Sequence, residues 1–444
     1  MRPLRVAIVG MGTAGNAAAL FLARAGHSAV VFEKTERKRL MEAYAGAGLG
    51  LQPIGLRVLE RLGVLESVLE HGARIDSLKA FTKEGRPVLD LQYADLDKSL
   101  FGLGVHRSVL FRELYSAMER EEGIEMRTGS HVSAVHVPET KFALEHSPAA
   151  TAVSLEDGTV VDGFDLAIVS DGRSSSIRRA MAAAGEVSAY EMQYPFGCLW
   201  AVLPDTDGFL DSQGPELFQR LDSAKKMLGL LPTGTVHKNE ATAGPLEGKR
   251  LLTLFWSLEL YKFEEVKKAG IDSWKREVLA MEPRTEALLS HISGFEDLIP
   301  AQYNNTVMRQ LYVGDSCVFL GDSAHSTSPQ LGQGANLALV DAWALSESLK
   351  KCQNSLLGAL KDYDRVRRWR LRFYQLNSMM LTPVFQSNSR IIAAARDLTM
   401  GTLCRFPPAR WQMLATMSGV QNNGIPLSKI PESEYKLGLP TVLE

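Results

Sequence analysis

Residues 5–15 read RVAIVGMGTAG, an apolar run that passes directly into three spaced glycines. The β-branched run predicts a buried strand, and the alanine-rich segment after it predicts a helix. Gly10 permits a tight turn, Gly12 lets the backbone approach a phosphate, and Gly15 lets the helix pack closely on the strand. Because the amino terminus of a helix favours negative charge, the stretch predicts a pyrophosphate-binding strand–loop–helix unit.

An acidic residue follows at the distance that such units require. After Gly26 a second apolar strand, AVVF, ends in Glu33, which lies eighteen positions past Gly15. A carboxylate at this place accepts both hydroxyls of an adenosine ribose and disfavours a 2′-phosphate. The pattern therefore predicts FAD or NAD as the bound dinucleotide and not NADP. A glycine-rich turn without a ligand is the alternative that remains open.

The pattern of an apolar strand that leads to a carboxylate occurs twice more along the chain. Residues 165–172 read DLAIVSDG, and residues 318–322 read VFLGD. The carboxyl ends of parallel strands meet at one edge of an open α/β sheet, where ligands bind. A NAD dehydrogenase has no need of further nucleotide contacts so far along the chain, so FAD is favoured.

Composition sets the general class of the protein. A chain of 444 residues exceeds the size at which one core keeps growing, which predicts two structural regions. The formal net charge of -2 gives no global attraction to nucleic acid or to an anionic membrane. The four cysteines show no paired CxxC spacing, so we expect free thiols in a reducing cytoplasm and neither a disulfide nor a metal site.

The amino terminus imitates a secretory signal. Arg2 and Arg5 precede an apolar run from Val6 to Leu22, but glycines interrupt the run and no clear cleavage site follows it. Nowhere else does an uninterrupted apolar segment approach the roughly twenty residues of a membrane span. We therefore expect a soluble cytoplasmic protein.

Taken together, the motifs resemble those of the class A FAD-dependent aromatic hydroxylases, the flavoprotein monooxygenases typified by para-hydroxybenzoate and salicylate hydroxylases. The resemblance implies a Rossmann-like α/β FAD-binding domain and an NAD(P)H- and oxygen-dependent hydroxylation of an electron-rich aromatic or heteroaromatic small molecule. In that chemistry oxygen adds at flavin C4a, and the hydroperoxide delivers the hydroxyl group. The motifs that carry the resemblance are Gly10, Gly12 and Gly15 with Glu33; Asp171-Gly172 followed by Arg178; and Gly321-Asp322 with Pro329 and Gly332-Gln333-Gly334.

The resemblance also implies roles for individual residues. Asp322 is expected to hold the ribityl chain of noncovalently bound FAD, and Asp171 is linked to FAD and NAD(P)H binding. Arg107 matches an arginine that contacts the flavin from a helix start, although a surface arginine at such a place is also common. The expected FAD contacts are Gly10, Gly12, Thr13, Ala14, Gly15, Glu33, Lys34, Arg107, Val132, Asp171, Gly321, Asp322, Pro329, Gly332, Gly334, Ala335 and Asn336.

Between about residue 185 and residue 300 the pattern changes to period-two stretches bounded by glycine and proline. These stretches predict a large antiparallel sheet that roofs the flavin and leaves the substrate between. Four large apolar residues at alternate positions from Leu252 to Leu258 share one face, for which core packing is favoured over a pocket wall. The expected domains are an FAD-binding domain (1–80, 105–180 and 301–345), a substrate-binding sheet domain (81–104 and 181–300) and a C-terminal helical region (346–444).

Several polar residues invite a catalytic interpretation. His325 follows the flavin motif directly, but a polar residue at a helix start is the favoured interpretation. Tyr190 and Tyr194 could hydrogen-bond a phenol or heterocycle, and tyrosines at a strand edge are equally ordinary. No catalytic side chain is assigned on these grounds.

The carboxyl-terminal region contains RVRRWRLRF at residues 365–373. An apolar stripe at helical spacing, from Val366 to Met380, predicts a docking helix whose arginines lie mainly on the solvated side. A helix on a membrane surface is the alternative.

Missing motifs narrow the choice of enzyme class. Disulfide-reductase-like flavoproteins are disfavoured because the sequence has neither a second GxGxxG nor paired redox cysteines. Flavin halogenases carry Trp-x-Trp, and none of the six tryptophans lies two positions from another. A halogenase or reductase on the same fold and a non-catalytic flavin-binding protein stay open as alternatives. The substrate, the choice of NADH or NADPH and the oligomeric state are not predicted.

Overall fold

The predicted strand at residues 5–9 lies at the centre of a parallel sheet in the computed structural model, which describes residues 2–42, 46–138, 150–237 and 246–438. The strands of these residues are β1 (Arg5–Val9), β2 (Ser28–Glu33), β3 (Gly48–Leu51), β4 (Ala73–Ile75), β5 (Ser77–Thr82), β6 (Pro87–Gln92), β7 (Gly102–His106), β8 (Ile124–Thr128), β9 (Val132–His136), β10 (Thr151–Leu155), β11 (Val160–Phe164), β12 (Leu166–Val169), β13 (Ala189–Pro204), β14 (Glu216–Asp222), β15 (Lys226–Gly234), β16 (Leu251–Glu259), β17 (Ile299–Met308), β18 (Tyr312–Val313) and β19 (Cys317–Phe319).

Helices cover the sheets and form the carboxyl-terminal region. They are α1 (Thr13–Arg24), α2 (Arg37–Glu42), α3 (Pro53–Arg61), α4 (Leu65–His71), α5 (Arg107–Glu119), α6 (Ser176–Ala183), α7 (Phe209–Gln213), α8 (Phe263–Ala269), α9 (Ile271–Met281), α10 (Glu286–Leu289), α11 (Asp322–His325), α12 (Gly334–Lys351), α13 (Leu356–Phe385), α14 (Arg390–Leu403) and α15 (Pro407–Met417). Over the described residues, none of these helices combines the length and the apolar character needed to cross a membrane.

Six strands form the sheet that carries the glycine loop, in the order β18-β19-β12-β1-β2-β8. All neighbours are parallel except the β18–β19 pair at the edge. The three predicted strands at its centre are almost completely buried, as apolar runs covered on both faces must be. The Rossmann-like prediction is confirmed, and β1, β12 and β19 end side by side at one edge.

The predicted substrate sheet has seven strands in the order β17-β13-β16-β15-β14-β5-β6. Its pairs are antiparallel with one exception, because β5 runs parallel to β14. The exception was not predicted. Both β5 and β6 come from an earlier part of the chain, so their connection to β14 is not a hairpin.

The two faces of the seven-stranded sheet have different surroundings: one packs in a buried core and the other lines a cavity. The alternate apolar residues of β16, from Leu252 to Leu258, belong to a buried core shared with α9. Trp256 meets Trp274 edge to face at 6.1 Å between ring centroids. The prediction of core packing for this face is correct. The intervening side chains, Phe255 and Ser257, point the other way and line a cavity.

A small sheet, β3-β7-β4, packs against β15 of the seven-stranded sheet. Its central strand, β7, approaches β15 so closely that a Cβ on Gly104 would overlap the carbonyl oxygen of Pro232. Glycine is therefore required at position 104, where β7 packs against β15 of the seven-stranded sheet, which roofs the cavity.

The prediction for the arginine-rich helix is wrong for its apolar stripe and for two of its five arginines. Arg367 and Arg370 of α13 are buried, whereas Trp369 is 63% exposed and Met380 is 64% exposed. The Nε atom of Arg367 donates to Asp341 at 2.7 Å, and Arg370 donates to the carbonyl oxygen of Gly419. Partners on other elements therefore hold these two guanidinium groups inside the protein, whereas Arg365 and Arg372 stay exposed, and Trp369 and Met380 of the apolar stripe lie at the surface.

Candidate functional site

A cavity of about 980 Å³ opens where the central strands of the six-stranded sheet end. The seven-stranded sheet covers one side, and α13, α14 and α15 close another. Small-molecule sites commonly occupy roughly 300–1,000 Å³, and in open α/β sheets they lie at this edge. The position and size of the cavity make it the candidate active site.

All three predicted strand-end motifs reach the cavity. The loop after β1 contributes Gly12, the loop after β12 contributes Ser170 and Gly172, and the loop after β19 contributes Gly321 and Asp322. Asp322 is exposed in this cavity, and among the described residues its carboxylate has no hydrogen-bond or ion-pair partner. An unpaired carboxylate at this edge is an acceptor for a ligand hydroxyl.

Two helices begin at the cavity with free first turns. Gly12 precedes α1 and Gly334 opens α12, and neither helix start has a side-chain cap. A Cβ added at either glycine would meet no atom within 4 Å. The space at both glycines is therefore open to a ligand, and the uncapped backbone N–H groups favour an anion such as a pyrophosphate.

Gly15 has the packing role that its spacing predicts. A Cβ at this position would overlap the carbonyl oxygen of Gly10 and lie 2.8 Å from the Oγ atom of Ser170. Glu33 ties the glycine loop down, because it accepts hydrogen bonds from the backbone nitrogens of Met11 at 3.0 Å and Thr35 at 2.9 Å. The carboxylate keeps further lone pairs for ribose hydroxyls.

Asp171 carries an unsatisfied buried acceptor. Its Oδ1 atom is shielded from solvent and has no hydrogen-bond partner among the described residues. Burial raises the pKa of this carboxyl, although a hydrogen bond from Ser175 opposes the rise. The adjacent residues Ser170 and Gly172 face the cavity. The carboxyl group of Asp171 itself lies outside the lining.

Arg178, the last residue of the same motif, is buried and connects two of the strand-end loops. Its guanidinium group pairs with Glu191 at 2.7 Å and donates to the carbonyl oxygens of Arg173 and Ser323. It therefore fixes the loop after β12 to the loop after β19. It does not line the cavity, so its part is to position the loops.

Asp341 of α12 anchors the loop that presents Asp322. It accepts from the backbone nitrogen of Gly321 at 2.8 Å, from the Nε2 atom of His325 at 2.5 Å and from Arg367. His325 is buried and turned away from the cavity. A structural role for His325, favoured from the sequence, agrees with this geometry.

The predicted contacts divide into those that line the cavity and those that do not. Asn336 is among the second group, since it is buried and binds the backbone of β3 and of the residue that follows it, donating to Gly50 at 3.1 Å and accepting from Gln52 at 2.8 Å. The lining residues are Gly12, Thr13, Ala14, Arg107, Gly321, Asp322, Pro329, Gly332, Gly334 and Ala335, while Gly10, Gly15, Glu33, Lys34, Val132, Asp171 and Asn336 lie outside the lining.

Arg107 is the first residue of α5 and is exposed to the cavity. Its side chain packs over Gly46, because a Cβ at Gly46 would lie 2.9 Å from the Cβ atom of Arg107. The predicted placement at a helix start is correct. The charge is available to a ligand, and the aliphatic stem covers the glycine.

Sequence reasoning missed two parts of the wall. The stretch GAGLGLQ, residues 46–52, lines the cavity and is braced by a 2.6 Å hydrogen bond from Tyr93 to Gln52. Its alternating glycines were an available signal for close backbone approach. The other part is the inner side of the carboxyl-terminal helices, which was interpreted only as a docking surface. Tyr190 and Tyr194, considered as substrate contacts, do not line the cavity.

One cluster outside the cavity has the donor set of a zinc site, namely His71, Glu113 and His237. The Nε2 atom of His237 lies 2.8 Å from Glu113, and the Nδ1 atom of His71 lies 3.2 Å from the hydroxyl of Thr235. This cluster was not predicted from the sequence. The contact between the His237 ring and the Glu113 carboxylate accounts for its geometry without a metal.

Replacing Asp322 by alanine tests the strand-end carboxylate. We expect the affinity for FAD to fall by roughly ten- to a hundredfold, because a charge-assisted hydrogen bond contributes about 1.5–3 kcal/mol. Titration of apoprotein with FAD measures the change. Asp315→Ala is the matched control, since Asp315 lies at the opposite end of β19 and outside the cavity. Equal affinity in the Asp322→Ala and Asp315→Ala proteins would remove Asp322 from the binding site.

Comparison with known proteins gives one consistent picture. A family model described as an FAD binding domain matches residues 3–371. The chain is 27% identical to 3-amino-4-hydroxybenzoate 2-monooxygenase of Streptomyces cremeus, over 82% of this chain and 84% of the relative. It is 28% identical to kynurenine 3-monooxygenase of Salinispora arenicola, over 93% and 87% respectively.

A solved structure shows the same fold. The crystal structure of a variant of 2-methyl-3-hydroxypyridine-5-carboxylic acid oxygenase superposes with a TM-score of 0.71 at 20% identity. The alignment covers 93% of this chain and 96% of that one. The similarity therefore includes the six-stranded sheet, the roof and most of the carboxyl-terminal helices.

Proposed function

This chain belongs to the FAD-binding domain family and is an FAD-dependent monooxygenase, and we propose that it hydroxylates an aromatic small molecule with NAD(P)H and oxygen in the cavity described above. The observation that carries the proposal is the meeting of three strand-end loops and two uncapped helix starts at one cavity with an apolar roof. The relatives named above act on aromatic compounds, as their names state. We place the protein in the cytoplasm because a reducing compartment keeps all four cysteines as free thiols.

Residues at the sheet edge would hold the cofactor. The first turn of α1 offers backbone N–H groups to the pyrophosphate, and Asp322 offers an acceptor to a ribityl hydroxyl. The loop from Pro329 to Gly334 lines the cavity and would lie beside the flavin ring. Gly332 has a φ of 59° in this loop, a conformation that glycine adopts without strain. Bound FAD supplies the redox chemistry that activates oxygen, which no side chain can supply.

The protein supplies orientation and the exclusion of water. No described residue of the lining is a histidine, and burial raises the pKa values of the tyrosine and thiol groups there. Burial raises the pKa of Tyr303 well above its usual value and raises the pKa of Cys198 to about 11. Both groups therefore stay protonated at neutral pH. Such a lining favours a reaction in which the cofactor, and not a side chain, carries out the difficult chemical steps.

Substrate is expected to control reduction of the cofactor. Nicotinamide must reach the flavin to reduce it, whereas oxygen activation needs a closed and dry site. A single position of the flavin ring serves these two steps poorly. We expect NAD(P)H to reduce bound FAD slowly alone and roughly tenfold faster or more with the true substrate, a change of about 1.4 kcal/mol in the barrier. Anaerobic stopped-flow bleaching of the flavin band, over a panel of phenols, indoles and quinolones, measures the effect.

The same experiment separates the alternatives. Fast reduction without any ligand, unchanged by every compound, would contradict control by substrate and favour a reductase or a halogenase-like cycle. Bound flavin that NAD(P)H never reduces would favour a non-catalytic flavin-binding protein. Incorporation of labelled oxygen from O₂ into the product of an accelerating compound would establish the hydroxylation.

A further inference from the structure

We propose that the substrate is an uncharged, largely apolar molecule, longer than one aromatic ring, that lies along the face of the seven-stranded sheet. This inference rests on the proposed function, because it takes the part of the cavity beyond the flavin contacts as the substrate site. It concerns three properties of that part: its extent, the chemical nature of its two walls and the distribution of charge within it.

The roof of the cavity spans the whole width of the sheet. Neighbouring strands lie about 4.8 Å apart, so seven strands extend over roughly 29 Å of backbone. Every strand of the sheet contributes at least one lining residue, which is far more wall than a single ring can cover. From one edge to the other, the lining includes Ala301 of β17, Cys198 of β13, Phe255 of β16, Gly229 of β15, Gln219 of β14, Lys79 of β5 and Leu91 of β6.

The opposite wall is apolar and adaptable. It comes from the inner sides of α13, α14 and α15 and contains three methionines. Methionine side chains are unbranched and polarisable, and they fit irregular apolar shapes. A wall of this kind suits fused rings or an apolar chain better than a small polar ring. Its apolar members are Phe373, Leu381, Phe385, Met400, Met413 and Met417.

Charge is absent from the described roof and helical wall, with one exception. Among the described lining residues only Lys79, Arg107 and Asp322 are charged; Arg107 opens α5 and Asp322 follows β19, so neither belongs to the roof or to the helical wall. The exception, Lys79, is already paired, because its Nζ atom lies 2.5 Å from the Oε2 atom of Glu216. No free cation in the described roof or helical wall can receive a carboxylate, and a buried carboxylate without a partner is strongly disfavoured.

The polar groups of the roof and wall are neutral. The side-chain amide of Gln219 has no hydrogen-bond partner among the described residues, although it faces the cavity. Asn377 donates its Nδ2 to the carbonyl oxygen of Phe373 at 2.7 Å, which leaves its Oδ1 as an acceptor. Amides of this kind recognise carbonyl, hydroxyl or ring N–H groups. They therefore favour an uncharged ligand with a few polar points on an apolar frame.

Matched pairs of ligands test the inference on the intact holoenzyme. Phenol, 2-naphthol and a hydroxyphenanthrene form a neutral series of increasing length, and the corresponding hydroxy-carboxylic acids form a charged series. The dissociation constants come from the perturbation of the oxidised flavin spectrum. We expect each neutral compound to bind roughly tenfold more tightly, or better, than its carboxylate, with affinity rising along the neutral series. Equal or tighter binding of the carboxylates would overturn the inference, as would neutral compounds that do not bind or a fall in affinity with length.

Two variants check the role of charge. Lys79→Met, combined with Glu216→Gln so that no unpaired carboxylate is left in the roof, is expected to keep the preference for neutral over charged compounds; loss of carboxylate binding in this double variant would identify Lys79 as an anion receptor and refute the inference. Gln219→Lys is expected to improve carboxylate binding by roughly tenfold, since it adds an unpaired cation to the roof. A fully FAD-loaded Gln219→Lys protein that gains no affinity for carboxylates would show that the ligand does not lie along this face.

The result is separable from a failure of the proposed function. Binding is observed in oxidised enzyme, before any reduction or oxygenation. If neutral compounds bind tightly but neither accelerate FAD reduction nor yield an oxygenated product, the proposed hydroxylation is contradicted and the inference of an uncharged ligand is supported. If the carboxylates are hydroxylated in preference to the neutral compounds, the proposed hydroxylation is supported and the inference of an uncharged ligand is contradicted.

Discussion

The Asp341→Ala protein is expected to lose about 3–5 kcal/mol of its free energy of unfolding, the usual cost of removing one partner of a buried ion pair. The substitution leaves the buried guanidinium of Arg367 without its carboxylate and the backbone nitrogen of Gly321 without its acceptor. It also releases His325. Because Gly321 begins the loop that presents Asp322, affinity for FAD should fall together with stability.

Urea titration of the apoprotein measures the loss, and FAD titration measures the coupled effect. The matched control is Glu347→Ala on the same helix, where an exposed ion pair with Lys350 spans 3.0 Å. Exposed pairs contribute at most about 1 kcal/mol, so the control should unfold almost as the unsubstituted protein does. Equal stability of the two variants would show that the Asp341 cluster is not required for the fold.

The pH dependence of stability should change in the same variant. Burial alone would raise the pKa of Asp341, but the charges of His325 and Arg367 outweigh it and lower the pKa. A carboxyl with a lowered folded pKa stabilises the protein above its unfolded pKa, about 3.9, and the stabilisation is lost as the pH falls further. The Asp341→Ala protein should therefore lose less stability on acidification below about pH 4 than the Glu347→Ala control.

The nucleotide-binding sheet could be predicted because its signals are local. The strand at residues 5–9 shows its burial in its own composition, and the glycines that end it show where the chain must turn. The same reasoning found β12 and β19, since each apolar run passes into a short polar stretch that carries an aspartate. Parallel strands share one carboxyl edge, so three local patterns were sufficient to place one common site.

The carboxyl-terminal helices could not be predicted in the same way because their partners are distant in sequence. Arg367 is buried and donates a hydrogen bond to Asp341 of α12, and Arg370 is buried and donates to the backbone carbonyl of Gly419. Helical periodicity assigns charged residues to solvent and has no means of finding such partners. The helical wall of the cavity was missed for the same reason. Asn377 and Met413 line the cavity, but their helices are distant in sequence from the strand-end motifs.

Alanine substitution at two glycines separates ligand binding from folding. Gly12→Ala is expected to weaken FAD binding by about 3 kcal/mol, the upper end of the cost of adding a methyl group to a filled site, or roughly a hundredfold. The apoprotein should keep its stability within about 1 kcal/mol, because alanine is only a somewhat poorer helix N-cap than glycine. The physical reason is that a Cβ at Gly12 meets nothing within 4 Å in the protein itself, so only a ligand can oppose it.

Gly15→Ala is the contrasting change one helical turn away. Its Cβ would overlap the carbonyl oxygen of Gly10 and approach the Oγ atom of Ser170, so the loop and β12 must shift even without a ligand. Stability and FAD affinity should therefore fall together in this protein, while only affinity falls in Gly12→Ala. Urea titrations of both apoproteins and FAD titrations followed by flavin fluorescence distinguish the two patterns. Unchanged FAD affinity in Gly12→Ala would mean that the open space at Gly12 does not hold the pyrophosphate, and the helix start of α12 at Gly334 would become the better anion site.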